Sequence, residues 1–404
     1  MPGRLRRGPL RELPVEVGAL AAVAFMVAVG FGVVAPAIPL FARHFGVSKT
    51  EASAVISAFA AARLVTAPFA GRLVNAFGER VMLAAGIGIV AVSSLLAGFS
   101  GDYWQLLVLR GVGGVGSIMF SISASSLLIR VTPPHQRGQA QGVFAGGFLL
   151  GAIAGPALGV VAAWSLRAPF FLYAGTLTVA GVIALGALRH SELAARPVPG
   201  GVTLRLREAL RNRAYVAALL TNLSENWAIV GVRSAMVPLF VHDRLALSSI
   251  WTYIGFFALS AVSGTLLLPF GKRADTAGRR PVLLVGLVIG AIALACVPLV
   301  SGAIGLVAVM AVLGVSGAAL SVASGAILGD VVGGRGGTVV ATYQMAGDAG
   351  TVAGPLVAGW LADAHGYGAA FGVAAAIVAV PVAAVVAAPE TGKVTKTRES
   401  TNAA

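Results

Sequence analysis

Residues 71–80 read GRLVNAFGER and residues 271–280 read GKRADTAGRR, so one glycine-bounded, basic pattern recurs 200 positions later. A second pattern, Gly-x-x-x-Gly-Pro, begins at Gly151 and again at Gly350, 199 positions later. Two anchors with nearly the same offset indicate an internal duplication. We therefore predict two related halves, residues 1–188 and 214–404, joined by a basic linker at 189–213.

The composition places both halves in a membrane. Of 404 residues, 57% are hydrophobic and 11% charged, and the mean hydropathy is +0.90. A soluble domain carries about 25% charged residues. The apolar runs are continuous rather than alternating, which favours helices over a β-barrel. The single Cys296 excludes a disulfide-based scaffold.

Twelve apolar runs are long enough to cross a bilayer as helices. Their approximate positions are 17–41, 50–74, 81–99, 103–130, 139–163, 169–188, 214–241, 251–271, 281–300, 303–329, 337–362 and 367–388. The expected fold is an all-α membrane protein whose 12 transmembrane helices form two pseudo-symmetric six-helix bundles.

The distribution of basic residues predicts the orientation. The segments on the side of the N-terminus hold 22 Lys and Arg residues and the segments on the other side hold four. The positive-inside rule then places both termini in the cytoplasm. This topology accounts for the net charge of +14, so no nucleic-acid partner is expected. We expect a monomer in a bacterial cell membrane, with a small-molecule substrate, protons and the lipid bilayer as partners.

Three sequence patterns point to one family of membrane proteins. They are the loop Gly271-x-x-x-Asp275-x-x-Gly278-Arg279-Arg280, the run Leu106-x-x-x-Arg110-x-x-Gly113-Gly114-x-Gly116 and the run Gly151-x-x-x-Gly155-Pro156-x-x-Gly159. On these residues the chain resembles a transporter of the major facilitator superfamily over essentially its whole length. The third run is similar to the antiporter motif of that family's drug:proton antiporters.

The resemblance implies secondary active transport. The leading expectation is proton-coupled efflux of small amphipathic organic compounds, such as drugs or secondary metabolites, by alternating access. The alternative is transport of an organic anion or a nutrient by symport or uniport. It implies no enzyme activity.

The repeated loops are the expected cytoplasmic gate. An Asp in such a loop can meet the unpaired N–H groups at the N-terminus of a helix in the other half and so latch the halves together. Asn75 stands where the first copy would carry Asp, so the latch is expected to depend mainly on Asp275. The residues assigned to this gate are Gly71, Asn75, Gly78, Arg80, Gly271, Asp275, Gly278, Arg279 and Arg280.

The antiporter-like run predicts close helix packing. Gly151, Gly155 and Gly159 recur every four residues and form one stripe that admits a neighbouring helix. Pro156 removes a backbone donor and can bend the helix. The resemblance alone implies that this bend helps to seal the external side.

Ionisable residues inside the spans are the candidates for proton coupling, because they are costly in the membrane. The two carboxylates are Glu225 and Asp348, and burial disfavours their charged forms. We assign proton coupling to Glu225 and Asp348, with Arg110 keeping a nearby site from holding protons too tightly. Structural pairing of either acid with an Arg is the alternative.

Polar arcs on three spans are the candidate substrate site. At 100° per residue, the polar residues of the seventh span fall within about 100° of one another. Bonding of the serines to their own backbone is the alternative. The candidates are Asn222, Glu225, Asn226, Arg233, Ser117, Ser121, Ser321 and Ser324. We expect no catalytic residues, metal or cofactor, because the five His residues do not cluster and no phosphate-binding loop is present.

Overall fold

The computed structural model of the chain describes residues 14–132, 137–159, 164–187, 206–332 and 337–391. Within these ranges the chain forms twelve helical rods, and a short helix, Leu206–Ala209, precedes the seventh. The rods are α1 Val15–Val34 continuing as Ala37–Arg43, α2 Lys49–Phe77, α3 Glu79–Phe99, α4 Tyr103–Val131, α5 Arg137–Leu158, α6 Ala168–Ala187, α7 Arg213–Glu225 continuing as the π-helix Asn226–Val232 and the α-helix Arg233–Asp243, α8 Ser249–Ala277, α9 Arg279–Cys296, α10 Ala303–Val332, α11 Gly337–Ala364, and α12 Tyr367–Ala379 continuing as Pro381–Ala387.

The observed rods agree with the predicted spans, usually to within a few residues. Ten of the described rods are long and apolar enough to span a membrane by length and composition. The other two are α7 and α11, which carry Glu225 and Asp348 in their interiors. Most of the predicted linker lies outside the described residues, so its boundaries remain a prediction.

Helix packing repeats in the two six-helix bundles. In the first, α1 packs on α5 and α6, and α4 packs on α2 and α3. In the second, α7 packs on α11, and α10 packs on α8 and α9. The main contacts between the bundles are those of α2 with α11 and of α5 with α8.

Glycine–proline contacts bring equivalent helices close together in both bundles. A Cβ atom added to Gly32 of α1 would lie 3.0 Å from the Pro156 ring of α5, and one added to Gly231 of α7 would lie 2.9 Å from the Pro355 ring of α11. A Cβ atom on Gly155 would approach the carbonyl oxygen of Val29 to 2.6 Å. Close backbone approach at these points needs glycine.

The predicted stripe of Gly151, Gly155 and Gly159 does not face a single helix. Gly151 and Gly155 lie against α1, whereas a Cβ atom on Gly159 would lie 2.1 Å from the ring of Tyr253 in α8. The chain leaves the regular α-helix after Leu158, and this change of geometry turns Gly159 toward the other bundle.

The turns between α2 and α3 and between α8 and α9 use glycine for the same reason. Gly78 has φ 84° and Gly278 has φ 108°, a region that disfavours residues with a Cβ atom. A Cβ atom on Gly278 would also lie 2.5 Å from the Glu390 carboxylate. That carboxylate accepts hydrogen bonds from the N–H groups of Arg279 at 2.6 Å and Arg280 at 3.2 Å, and so caps α9.

An ion pair next to each turn has opposite polarity in the two bundles, and the pair in the first bundle is the more buried of the two. In the first bundle Glu79 of α3 accepts a hydrogen bond from Arg130 of α4 at 2.5 Å and another from the Ser126 hydroxyl at 3.1 Å. In the second, Arg279 of α9 pairs with Asp330 of α10 at 3.4 Å. Positions 79 and 279, and 130 and 330, are related by the same offset of 200, so each repeat ties the same two helices with exchanged charges.

We expect Glu79→Arg to destabilise the protein strongly and Glu79→Arg combined with Arg130→Glu to recover much of the loss. The single substitution places two cations together in a buried position, and breaking a buried pair costs about 3–5 kcal/mol. The double variant restores a pair with the polarity of the second bundle. Thermal melting of the purified protein measures both. Equal melting temperatures for the single and double variants would show that the pair contributes no stability.

Candidate functional site

Contacts between the bundles close one end of the molecule, which we call the sealed end. The Asp363 carboxylate of α11 accepts hydrogen bonds from the N–H groups of Lys49 at 3.1 Å and Thr50 at 2.8 Å, and from the Thr50 hydroxyl at 2.7 Å. These residues begin α2, so Asp363 pairs with N–H groups that have no partner inside the helix. Nearby, the Tyr253 hydroxyl donates to the Val33 carbonyl at 3.1 Å.

The expected latch through Asp275 is absent from the contacts of the described residues. Asp275 pairs instead with Arg279, one helical turn later in the same bundle. An acid at the helix N-terminus of the other bundle does occur, but it is Asp363 at the sealed end. Sequence reasoning did not single out Asp363, because no repeated motif marks it. The surroundings of Gly71 and of the Asn75 side chain are not described, so the expected difference in latch strength between the two loops remains a prediction.

A cavity of about 270 Å³ lies between the bundles at the middle of the helices. Most of its wall comes from apolar and aromatic side chains of the first bundle, with contributions from α7 and α11. Among the described residues, no carboxylate lines it. Its polar lining consists of Arg63, Arg110, Ser117, Ser121, Tyr173, Ser234 and Thr351.

Arg63 joins the two bundles across this cavity. Its Nε atom lies 3.2 Å from Oδ1 of Asp348 in α11, and a terminal nitrogen donates to the Ser117 hydroxyl of α4 at 2.7 Å. The side chains of Arg63 and Asp348 are 22% and 16% exposed, so water has limited access to the pair. Asp348 is therefore the partner of an Arg in this conformation, the alternative that the sequence left open.

Arg110 lies on the same cavity wall without an acidic partner. Its guanidinium carbon lies 4.5 Å from the centroid of the Phe59 ring, and the residue is 3% exposed. Gly114, one turn later, permits this contact, because a Cβ atom there would lie 2.2 Å from the Phe59 carbonyl oxygen. Sequence reasoning identified Arg110 but not Phe59, since an apolar residue on a membrane helix carries no distinguishing signal.

The polar residues of α7 contact different neighbouring helices in this conformation, and part of the helix is a π-helix. Asn222 donates to the Tyr343 carbonyl of α11 at 2.7 Å, and Asn226 donates to the Asn222 carbonyl at 2.8 Å. Arg233 instead lies over Phe256 of α8, 4.9 Å from the ring centroid. The sequence-based prediction assumed a rotation of 100° per residue along the whole helix. The π-helix Asn226–Val232 instead accommodates about one extra residue per turn, so the rotation per residue is smaller there. The asparagines and Arg233 therefore face different neighbouring helices.

Glu225 is the last residue before the π-helix, and it is partly buried. Among the described residues it forms no hydrogen bond and no ion pair within 4.0 Å, although its charge interacts at longer range with that of Arg233 on the same helix. It is thus an intramembrane carboxylate that can exchange a proton without first breaking a salt bridge. Such π-helical segments frequently occur at functional sites.

The serine candidates divide into cavity-lining and structural residues. Ser117 and Ser121 line the cavity, and Ser121 also donates to the Ser117 carbonyl at 2.9 Å. Ser324 is fully buried, donates to the Leu320 carbonyl at 2.7 Å and accepts from the Tyr343 hydroxyl at 2.9 Å. Ser321 is exposed. Asn222 and Ser324 thus join α7 and α10 to α11, Asn226 is bonded within α7, and none of the three lines the cavity.

Comparison with known proteins agrees with this architecture. The family model of the Major Facilitator Superfamily matches residues 20–269 and again residues 256–403, which together cover most of the chain. The chain belongs to the Major Facilitator Superfamily. This membership makes it a multi-pass membrane transporter, as the sequence motifs predicted.

Relatives within the Major Facilitator Superfamily match over nearly the whole length. The multidrug resistance protein MdtG of Proteus mirabilis (strain HI4320) is 27% identical over 369 residues, which are 88% of this chain and 90% of that protein. MdtG of Salmonella choleraesuis (strain SC-B67) is 27% identical over 376 residues, with the same coverage of both chains.

Solved structures of other superfamily members share the fold. A crystal structure of the peptide transporter POT has a TM-score of 0.77 at 14% identity and covers 95% of both chains. The human organic anion transporter MFSD10 has a TM-score of 0.67 at 18% identity and covers 94% of this chain and 100% of that one.

Proposed function

We propose that this transporter exports small amphipathic organic compounds in exchange for protons, by alternating access. The observation that carries the proton coupling is Glu225, an intramembrane carboxylate without a paired cation among the described residues. A carboxylate that binds a proton on one side and loses it on the other can couple proton entry to substrate exit. The names of the MdtG relatives support efflux of drug-like compounds.

The conformation supports alternating access with the sealed end outside. The described hydrogen bonds between the bundles, from Arg63–Asp348 to Thr50–Asp363, lie between the middle of the helices and the sealed end. Loop charges favour the sealed end as the external face, because Lys49 is one of only four basic residues on that side. We infer that this state is open toward the cytoplasm, with both termini there.

The other candidate residues concern proton coupling and the cytoplasmic gate. Asp348 is proposed to couple a proton by releasing Arg63 when it is protonated. The loops around Gly78 and Gly278 are proposed to form the cytoplasmic gate in the opposite conformation, when Asp275 can leave Arg279. Arg110 has no carboxylate in contact among the described residues, so we do not retain its assignment as a tuner of a nearby acid.

Reconstitution into liposomes with an imposed pH gradient tests this function. We expect gradient-driven movement, above protein-free liposomes, of at least one compound from a panel of amphipathic molecules with a permanent positive charge, a permanent negative charge or no charge. Ethidium, 2-naphthalenesulfonate and 2-naphthalenesulfonamide form such a panel. Pyranine trapped inside reports the accompanying proton movement. Transport of a compound without any dependence on the gradient would rule out proton coupling.

A further inference from the structure

Arg110 is a buried cation whose charge the protein does not neutralise. It is 3% exposed, and its Nε atom is buried without a hydrogen-bond partner. Among the described residues, no carboxylate, hydroxyl or carbonyl oxygen accepts a hydrogen bond from its guanidinium. Buried charges are normally paired, because removal of an ion from water is costly. The structure therefore leaves a charge at Arg110 that needs a partner from elsewhere.

Two partly buried arginines of the same bundle do have acidic partners. Arg63 pairs with Asp348 at 3.2 Å, and Arg130, on the same helix as Arg110, pairs with Glu79 at 2.5 Å. The contact of Arg110 with Phe59 offsets part of its desolvation, by about 2 kcal/mol in a dry site. An aromatic face, however, satisfies none of the five N–H donors of a guanidinium. The missing acceptor distinguishes Arg110 from these neighbours.

The cavity wall around Arg110 suits the anionic head of an amphipathic molecule. Among the described residues, the acid that contacts the lining is Asp348, which is already paired with Arg63, so the described lining retains one uncompensated positive charge. Tyr173 is 2% exposed, lines the cavity, and its hydroxyl has no described hydrogen-bond partner. A guanidinium and a phenol hydroxyl can both donate to one oxyanion, and the guanidinium can do so with two parallel bonds.

The rest of the cavity suits an apolar body. The rings of Phe31, Phe59, Phe120 and Phe148 contribute to a wall that is otherwise largely aliphatic. Its volume of about 270 Å³ is at the lower limit of sites for drug-sized ligands. We propose that Arg110 binds the carboxylate or sulfonate group of an amphipathic organic anion, whose apolar body packs against these rings. The proposal rests on the proposed transport of small molecules and specifies the charge of the substrate.

Arg233 does not provide an equivalent site. It also lies over an aromatic ring, that of Phe256, and its Nε atom is also buried without a partner. It is absent from the lining of the cavity, however, and its charge interacts with that of Glu225, whereas among the described residues no carboxylate is found to interact with Arg110. The anion site is therefore assigned to Arg110 alone.

Equilibrium binding to the purified full-length protein tests the proposal. The protein is placed in nanodiscs of phosphatidylcholine, so that no anionic lipid competes. Binding of 2-naphthalenesulfonate is compared with that of 2-naphthalenesulfonamide, which has the same body without the charge. We expect the wild-type protein to bind the sulfonate about 10- to 100-fold more tightly, the range for a hydrogen-bonded charge. Equal affinities would overturn the proposal whatever the variants do.

Substitutions then locate the site. Arg110→Gln is expected to remove the preference for the sulfonate, and Arg110→Lys to retain part of it, because an ammonium keeps the charge without the planar pair of donors. Arg167→Gln is the matched control: Arg167 also lies over a ring, 5.8 Å from that of Phe41, but it is exposed and outside the cavity. The control should bind both compounds like the wild-type protein.

Two outcomes contradict the assignment to Arg110. One is an unchanged preference for the sulfonate in a folded Arg110→Gln variant, and the other is an equal loss in Arg167→Gln. If Arg110→Gln does not fold, the Arg110→Lys variant is used to test the assignment. Full wild-type affinity of that variant for the sulfonate would exclude a site in which Arg110 donates two parallel hydrogen bonds. Binding is measured without a pH gradient, so it does not depend on proton-coupled transport. Failure of the transport assay would leave the binding result valid, and failure of the binding assay would leave the transport result valid.

Discussion

Glu225→Gln is expected to reduce transport driven by a pH gradient to the level of protein-free liposomes. The amide cannot bind and release a proton at working pH, so the coupling step is lost. The same variant should still exchange labelled for unlabelled substrate across the membrane without a gradient, because Glu225 makes no described hydrogen bond or ion pair whose loss would prevent folding. Loss of gradient-driven transport with retained substrate exchange would show that Glu225 is needed for proton coupling but not for movement of the substrate across the membrane.

Glu208→Gln is the matched control for this prediction. Glu208 is exposed on the short helix Leu206–Ala209, outside the membrane-spanning rods. Its substitution removes one carboxylate and should leave both assays unchanged. Normal gradient-driven transport by Glu225→Gln would exclude this residue from the coupling mechanism and leave Asp348 as the remaining proposed carboxylate.

Asp348→Asn is expected to shift the protein away from the sealed conformation. The substitution leaves Arg63 with the Ser117 hydroxyl but without a counterion between the bundles. Loss of one partner of a fully buried ion pair costs about 3–5 kcal/mol. Because this pair is partly exposed, we expect a free-energy cost at the lower limit of that range. A change of about 3 kcal/mol alters a population ratio by roughly 100-fold. The sealed state should therefore cease to dominate.

Distances between spin labels at the sealed end measure this shift. Ser165 and Ser301 are exposed in loops of the first and second bundle, and Cys296→Ala removes the native thiol. We expect a longer distance in Asp348→Asn and a partial return in Arg63→Gln combined with Asp348→Asn, which has no unpaired charge. Asp102→Asn, which alters an exposed cap at the same end, is the control. A wild-type distance distribution in Asp348→Asn would show that the pair does not hold the bundles together.

The helices and their duplication could be predicted from the sequence because both depend on local information. Long apolar runs define the rods, and glycine at a turn such as Gly278 follows from the backbone angle that the turn requires. The family resemblance rested on the same short motifs. None of these steps required knowledge of which residues meet in space.

The partners of charged residues could not be predicted in the same way. Arg63 and Asp348 are 285 positions apart in the chain, and their contact depends on the rotation of two helices from different bundles. The π-helix in α7 changes that rotation after Glu225, and regular helical spacing along the sequence does not reveal this change. Asp275 shows a different limit, because in the described structure it pairs with Arg279 of its own bundle, and its contact with the other bundle stays a prediction.

The reversed ion pairs beside the two turns have a consequence for assembly during membrane insertion. Duplicated halves present similar surfaces, so α3 of the first half could dock against α10 of the second in place of its own partner α4. That hybrid would place Glu79 beside Asp330, and the reciprocal hybrid would place Arg279 beside Arg130. Like charges repel in both hybrids, whereas both native pairs attract. The exchanged polarity thus favours pairing of helices within each half and disfavours pairing between helices of different halves.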